Sequence, residues 1–315
     1  MTISVVIPLY NEEENVRELY GRLKPVMESL RNEYEIIFID DGSADNTLSL
    51  LQKIQAADDS VIILSLRRNF GQTAAFAAGF DYSRGDIIVT MDGDLQNDPQ
   101  DIPKLLALMK DNDLVSGWRK KRKDPFLSRR LPSILANALI SKVTGVNLHD
   151  YGCSLKAYRR EVIKNLKLYG EMHRFIPAVA SWYGVRIAEV ETMHHPRLRG
   201  KSKYGISRTM KVVLDLITVK FLQSFSTKPL QFFGPIGLLS GALGFLISLY
   251  LSIDKIFSGK DIGQRPLLLL GALLIIVGIQ FIGMGLLGEM MVRVYHETQK
   301  KPIYVIKKVI GPVSK

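Results

Sequence analysis

A chain of 315 residues with a formal net charge of +11 is long enough for one or two domains and basic enough to gather anions. Its single cysteine, Cys153, excludes an intramolecular disulfide, and residues 1–5 enter a strand pattern without the basic and small-residue signature of a secretory leader, so a cytosol-facing protein is expected. Up to about residue 196 the composition is that of a soluble α/β domain; beyond it the chain turns basic and then strongly apolar.

Ile3-Ser-Val-Val-Ile-Pro8 reads as a first strand, stopped by proline. Asn11 suits a helix N-cap, and the acidic residues after it suit a first turn, which predicts a helix from there to about Leu30. Glu35-Ile-Ile-Phe-Ile-Asp40 is the second predicted strand, residues 44–57 a helix and Val61-Ile-Ile-Leu-Ser65 the third strand. A loop at residues 67–71 leads to a helix over 72–82. The apolar run at 87–91 then predicts a strand buried on both faces. A helix over 99–110 and a strand over 113–117 continue the alternation, which predicts an α/β fold with a mostly parallel sheet and helices on both faces.

The fourth strand ends in Asp92-Gly-Asp-Leu-Gln96. Two carboxylates at such a point can hold a hard divalent cation through oxygen ligands, and that cation can neutralise a diphosphate. Gln96 adds a neutral oxygen. An Asp-Gly pair also favours a plain turn, so the triplet gains its meaning from its surroundings. Those surroundings are polar. Tyr10 and Glu12 follow the first strand, Asp40 and Asp41 the second, and Asp92 and Asp94 the fourth. In a parallel sheet these tips share one edge, where ligands of open α/β sheets bind. The first strand is not followed by Gly-x-Gly-x-x-Gly, which disfavours a nicotinamide-binding domain.

Val5-Val-Ile-Pro-Leu-Tyr-Asn-Glu12, Asp40-Asp-Gly-Ser43, Arg68-Asn-Phe-Gly71 and Asp92-Gly-Asp-Leu-Gln96 together resemble the family-2 glycosyltransferases of the GT-A, Rossmann-like fold. More narrowly they resemble the polyprenyl-phosphate glycosyltransferases: dolichol-phosphate mannose synthase and the bactoprenol glucosyltransferases (GtrB type) and aminoarabinose transferases (ArnC type) of bacteria. The resemblance implies that Pro8, Tyr10 and Glu12 lie along a nucleoside, that Asp40 reads its base, and that Asp92 faces the sugar nucleotide. It implies a metal site at Asp94 and Gln96 with Asp92, filled by Mg²⁺ or Mn²⁺. Asp92, Asp94 and Asp150 are the residues expected to carry catalysis.

Residues 118–130 hold seven basic residues and one acid. A solvated loop is one reading of 120–123, and contact with anionic headgroups another. No nucleic-acid recognition pattern accompanies the run. The resemblance places Arg119, Arg129 and Ser133 at a phosphate, where the guanidinium fork grips oxygens in pairs. His149 to Arg159 resembles a segment that closes over the donor sugar, with Asp150 either contacting the sugar or capping a helix. His173 is weighed as a neighbour of the site. Cys153 reads as a small buried residue, and the adjacent His194 and His195 read as unsuited to one metal. Arg197-Leu-Arg-Gly-Lys-Ser-Lys203 resembles a phosphate-holding loop in which Arg197, Ser202 and Lys203 act; a basic linker is the plainer reading.

Residues 207–225 predict an amphipathic helix suited to a bilayer surface. No charge occurs from 229 to 253 or from 266 to 288. At ~1.5 Å per residue each stretch can cross a hydrocarbon core of about 30 Å. The segment before the first span and the tail after the second are rich in lysine and arginine, while the connection at 254–265 is short and nearly balanced, so both termini are expected in the cytoplasm. The predicted organisation is a catalytic domain at 1–205, a juxtamembrane helix at 206–228, a transmembrane hairpin at 229–290 and a basic cytoplasmic tail at 291–315. The expected activity is metal-dependent, inverting transfer of a hexose, glucose from UDP-glucose, to undecaprenyl phosphate at the inner membrane. A processive polysaccharide synthase and a non-enzymatic handler of lipid-linked sugar are the alternatives. The first is disfavoured by the lack of a Gln-x-x-Arg-Trp motif. Self-association is left open.

Overall fold

The computed structural model describes residues 1–120, 131–164, 166, 168, 172–181, 183–196, 229–259, 261, 265–298 and 302–312. Arg129, Arg197, Ser202, Lys203 and the interfacial helix expected at 206–228 lie outside the described residues.

The N-terminal elements are β1 (Ile3–Leu9), α1 (Val16–Ser29), β2 (Tyr34–Asp40), α2 (Thr47–Gln55), β3 (Val61–Leu66), α3 (Gln72–Tyr82) and β4 (Ile87–Thr90). A 3₁₀ turn at Pro99–Asp101 leads into α4 (Ile102–Leu108), β5 (Leu114–Trp118) and α5 (Leu131–Thr144), on which Ser133 lies. β6 (Lys156–Arg159), α6 (Arg160–Lys164), α7 (Ile176–Ser181) and β7 (Ile187–Glu191) follow. Two long helices, Leu230–Ser258 and Pro266–Thr298, precede β8 (Ile306–Ile310).

The eight strands form one sheet in the order β7-β5-β6-β4-β1-β2-β3-β8. The β4-β1-β2-β3 block is parallel, as the alternation of strand and helix predicts. β6 runs antiparallel to both β4 and β5, and β8 antiparallel to β3. Side chains alternate between two cores. Val5, Ile7, Ile36 and Phe38 face α1, α2 and α4; Val6, Ile37, Ile39 and Leu64 face α3 and α5 to α7. All are inaccessible to solvent, which is why these strands read as continuous apolar runs rather than alternating ones.

Two expectations are corrected here. The first helix begins at Val16, not at Asn11. Asn11 has φ 52°, outside helical space, and its side chain instead accepts from the Ala44 N–H at 2.8 Å in the loop after β2. The second correction concerns the tail at 291–315. The second long helix runs on to Thr298, and residues 306–310 return to the sheet as its eighth strand. The chain divides into one unit of Met1–Val219 with Pro302–Lys315, and a second of Lys220–Lys301.

In the second unit, Leu230–Phe257 and Pro266–Gly288 span 28 and 23 residues, long and apolar enough to cross a membrane. Their outward surface is apolar, with Leu239, Leu246, Leu269 and Ile279 exposed, which suits lipid rather than water. The helices meet along glycines. A Cβ at Gly278 would lie 2.6 Å from the Gly237 carbonyl oxygen, and one at Gly244 would lie 2.5 Å from that of Gly271. Ser240 donates across the seam to the Leu274 carbonyl at 2.9 Å. Gly283 is not part of the seam: a Cβ there would meet nothing. Gly278→Leu should therefore weaken the helix pair by about 1–3 kcal/mol through overpacking. Thermal unfolding in detergent should show a lowered midpoint for this variant and none for Gly283→Leu.

Candidate active site

Three parallel strands end together. Leu9 pairs with Asp40, and Val6 with Thr90, so the residues after β1, β2 and β4 emerge along one edge of the sheet. Asp41 N–H donates to the Leu9 carbonyl at 2.8 Å, and Met91 N–H to that of Val6 at 3.3 Å. The Asp92–Gln96 turn passes close to β1: a Cβ at Gly93 would sit 3.3 Å from the Pro8 carbonyl oxygen. The predicted convergence of Tyr10, Glu12, Asp40, Asp41, Asp92 and Asp94 is thus a feature of the register, with Pro8 one residue inside the end of β1. Tyr10 and Glu12 are half-buried, and the Glu12 carboxylate accepts from Asn15 Nδ2 at 2.6 Å.

The β1 and β2 tips are tied to each other. Asn11 N–H donates to Ser43 Oγ at 3.0 Å, Glu12 N–H to Thr47 Oγ1 at 2.9 Å, and Glu13 N–H to Asp45 Oδ2 at 3.1 Å. Asp40 and Asp41 are both buried and divide their work. Asp40 accepts from Ser43 N–H at 3.1 Å and from Ser65 Oγ at 3.2 Å. Asp41 reaches across to the loop after β3, accepting from Phe70 N–H at 2.8 Å and Gly71 N–H at 2.9 Å. Burial raises the Asp41 carboxyl above its ordinary value, against the pull of those two donors. Gly42, at φ 69°, closes the turn; a Cβ there would lie 2.5 Å from the Arg68 backbone.

Asp92 accepts from Gln72 Nε2 at 2.6 Å, and its N–H donates to Asn97 Oδ1 at 3.2 Å. Asp94 is buried and accepts from Gln96 N–H at 3.2 Å. Leu95 between them holds φ 62°, an uncommon conformation for a branched side chain, while its side chain is buried in the core. Burial first, and the Asp94 charge second, push the Asp92 carboxyl up to about 6; the Ser154 hydroxyl, Arg119 and Lys156 pull the other way. Excess negative charge at a strand tip is what a divalent cation relieves, so Asp92, Asp94 and Gln96 fit one as a partial oxygen set. Among the described residues no third His, Cys, Asp or Glu joins them.

Arg119 and Asp150 meet directly. Arg119 Nε donates to Asp150 Oδ2 at 2.7 Å and Nη2 to Oδ1 at 2.9 Å, both side chains largely buried. Lys156, which the sequence reading passed over, lies beneath them on β6. Its buried ammonium donates to the carbonyls of Cys153 and Tyr151, and burial lowers its pKa. A lysine between Leu155 and Ala157 carries no sequence signal of a site; only the strand pairing places it under the loop. Cys153 is buried, as expected, and burial raises its thiol. His173 is also buried, shares a hydrogen bond with Thr73 Oγ1 at 2.7 Å, and is held well below the usual imidazole range by burial and by Arg174. The His195 ring bonds Asp98 Oδ2 through Nε2 at 2.8 Å, and its backbone N–H donates to the Gln96 carbonyl at 3.0 Å.

The family model described as Glycosyl transferase family 2 matches residues 4–167. The chain belongs to that family. This glycosyltransferase is 47% identical, over 100% of its length and 94% of the other protein, to a dodecaprenyl-phosphate galacturonate synthase of Rhizobium johnstonii. It is 38% identical, over 99% of its length and 94% of the other protein, to an undecaprenyl-phosphate 4-deoxy-4-formamido-L-arabinose transferase of Shewanella sediminis. Among solved structures it is similar in fold to glucosyl-3-phosphoglycerate synthase from Mycobacterium tuberculosis, determined with Mn²⁺, UDP and phosphoglyceric acid. There the TM-score is 0.54 at 20% identity, over 70% of this chain and 78% of that one.

The raised Asp92 carboxyl gives the metal-free glycosyltransferase a pH signature. The folded state keeps the Asp92 proton up to about 6, whereas the unfolded chain loses it near 3.8. The folded state therefore binds more protons in that window, and the contribution of Asp92 to stability falls as pH rises through it. In EDTA, the thermal midpoint of the wild type should drop between pH 4 and 6 relative to Asp92→Asn. Parallel curves for the two proteins would refute the assignment. Lys156→Met, which leaves two carbonyls without their donor, should destabilise the domain by about 1–3 kcal/mol in chemical unfolding.

Proposed function

We propose that this glycosyltransferase moves one sugar from a UDP-sugar to the phosphate of a polyprenol at the cytoplasmic face of a membrane. The observation that carries the reading is the full-length 47% identity to a dodecaprenyl-phosphate galacturonate synthase. Glucose was the sugar expected from sequence. The relatives reported above carry galacturonate and a formamido-arabinose, so galacturonate is the donor sugar we propose, with glucose as the second candidate.

The nucleoside lies along Pro8, Tyr10, Glu12 and Asp40, and the diphosphate over the Asp92–Gln96 turn. When bound by Asp94, Asp92 and Gln96, Mg²⁺ or Mn²⁺ supplies positive charge against the diphosphate of the leaving nucleotide. Arg119 spends two of its N–H groups on Asp150 and offers the rest of its fork to an anion. Arg129, Ser133, Arg197, Ser202 and Lys203 are assigned to the acceptor phosphate and the donor diphosphate. A polyprenyl phosphate oxygen attacks the anomeric carbon, the bond from that carbon to UDP breaks, and configuration inverts. The acceptor is already an anion, so no base has to deprotonate it.

The return of β8 supports the topology. Both ends of the hairpin rejoin one globular unit, so the two crossings leave that unit on a single side, and the basic flanks favour the cytoplasm. The purified protein, given dodecaprenyl or undecaprenyl phosphate and UDP-galacturonate, UDP-glucose or a UDP-aminoarabinose derivative, should yield a lipid carrying one sugar by mass spectrometry. A lipid carrying a sugar chain would favour processive synthesis instead. Asp94→Asn should lower kcat by about 10²–10³-fold, the scale of losing one electrostatic stabiliser. Chelation should abolish turnover, and added Mg²⁺ or Mn²⁺ should restore it in the wild type. Full activity in Asp94→Asn would overturn the metal assignment.

A further inference from the structure

β8 lies beside the one strand whose end leads into the loop held by Asp41. It pairs with β3 up to Leu66, with a register shift between Ser65 and Leu66. Beyond the shift the pairing continues: Arg67 N–H donates to the Val305 carbonyl at 3.0 Å. Arg67 opens the loop whose Phe70 and Gly71 N–H groups bind Asp41, and Ser65, opposite Lys308, donates to Asp40. On the other flank Tyr304 is buried, and its hydroxyl donates to Asp81 Oδ2 at 2.7 Å on α3. That helix starts at Gln72, the residue that holds Asp92. The far end of β8 is pinned at Gly311, with φ 112°, where a Cβ would lie 2.6 Å from the Val61 carbonyl oxygen. Residues from the extreme C-terminus thus brace both supports of the nucleotide edge, the loop at 67–71 and the helix that follows it.

We propose that β8, locked by Tyr304, is a positioning element for the donor nucleotide: it holds the loop at 67–71 in its binding conformation before UDP arrives. A loop ordered beforehand costs less to order on binding, so releasing β8 weakens donor binding selectively. Only residues 299–305 separate this strand from the second long helix in sequence. The proposal rests on the reading that UDP binds at the tips of β1, β2 and β4.

The test uses the full-length protein in detergent with Tyr304→Phe, which removes one hydroxyl, and Gly311→Val, which strains the end of the strand. UDP affinity is measured by calorimetry, and KM is measured separately for the UDP-sugar and the polyprenyl phosphate. Hydrogen exchange of residues 62–71 is followed with and without UDP. The expected result is a rise of about three- to tenfold in UDP Kd and donor KM, with lipid KM within about twofold. Amides at 67–71 should exchange faster in the variants, and UDP should slow exchange in β8 of the wild type. Unchanged donor KM in both variants, or equal rises in both KM values alongside a lower melting point, would reduce β8 to a structural strand. Absence of UDP binding in the wild type would instead overturn the donor-site reading on which the proposal stands. Tyr304→Phe keeps the ring in place, so it remains informative should Gly311→Val fail to fold.

Discussion

Buried negative charge is the constraint on which the rest of this site depends. Asp40, Asp41, Asp94 and Asp150 are all withdrawn from water within one edge region of the sheet. A buried carboxylate is tolerable only with donors around it. Asp41 has two backbone N–H groups, Asp40 a backbone N–H and a hydroxyl, and Asp150 the guanidinium of Arg119. Asp92 accepts from Gln72 and is drawn down by the Ser154 hydroxyl, Arg119 and Lys156, yet burial and the neighbouring Asp94 leave its carboxyl raised. Where two carboxylates crowd one strand tip, an added divalent cation would relieve the repulsion between them.

How much of this the sequence revealed depends on where the signal resides. The tips of β1, β2 and β4 were legible because each strand is a buried apolar run that stops at polar residues, and parallel pairing forces such stops to one edge. Asp92-Gly-Asp-Leu-Gln96 was legible for the same reason. The antiparallel strands were not. β6 reads Lys-Ala-Tyr-Arg and sits between β4 and β5, yet nothing in four residues with charged ends marks a central strand. Its lysine is buried because it is partnered, and the partners are carbonyls of a loop that only the fold brings near.

β8 was hidden by composition. Ile-Lys-Lys-Val-Ile lies in a basic stretch after an apolar helix, which is also how a cytoplasmic tail looks. An edge strand can carry lysines on its open side, and charge there discourages pairing with another chain. The same residues therefore satisfy two patterns, and pairing with β3 decides between them. Asn11 shows the converse error. A residue suited to capping a helix here holds a loop, because its left-handed backbone places its side chain at the Ala44 N–H after β2.

The imidazoles complete the chemical argument. His149 stacks on Trp118 at 4.2 Å and bonds Glu189; His173 is buried against Thr73; His195 is bonded to Asp98. Each is engaged in holding one segment to another, and burial holds the His173 imidazole well below its usual range by opposing the charged form. A glycosyl transfer to a hydroxyl would call on a group of this kind to take the proton in the transition state. A phosphate oxygen carries no proton that has to leave. On the function proposed above, the polar groups around the strand tips would bind and balance anions, and for an anionic nucleophile displacing an anionic nucleotide that balance is the larger part of the catalytic problem.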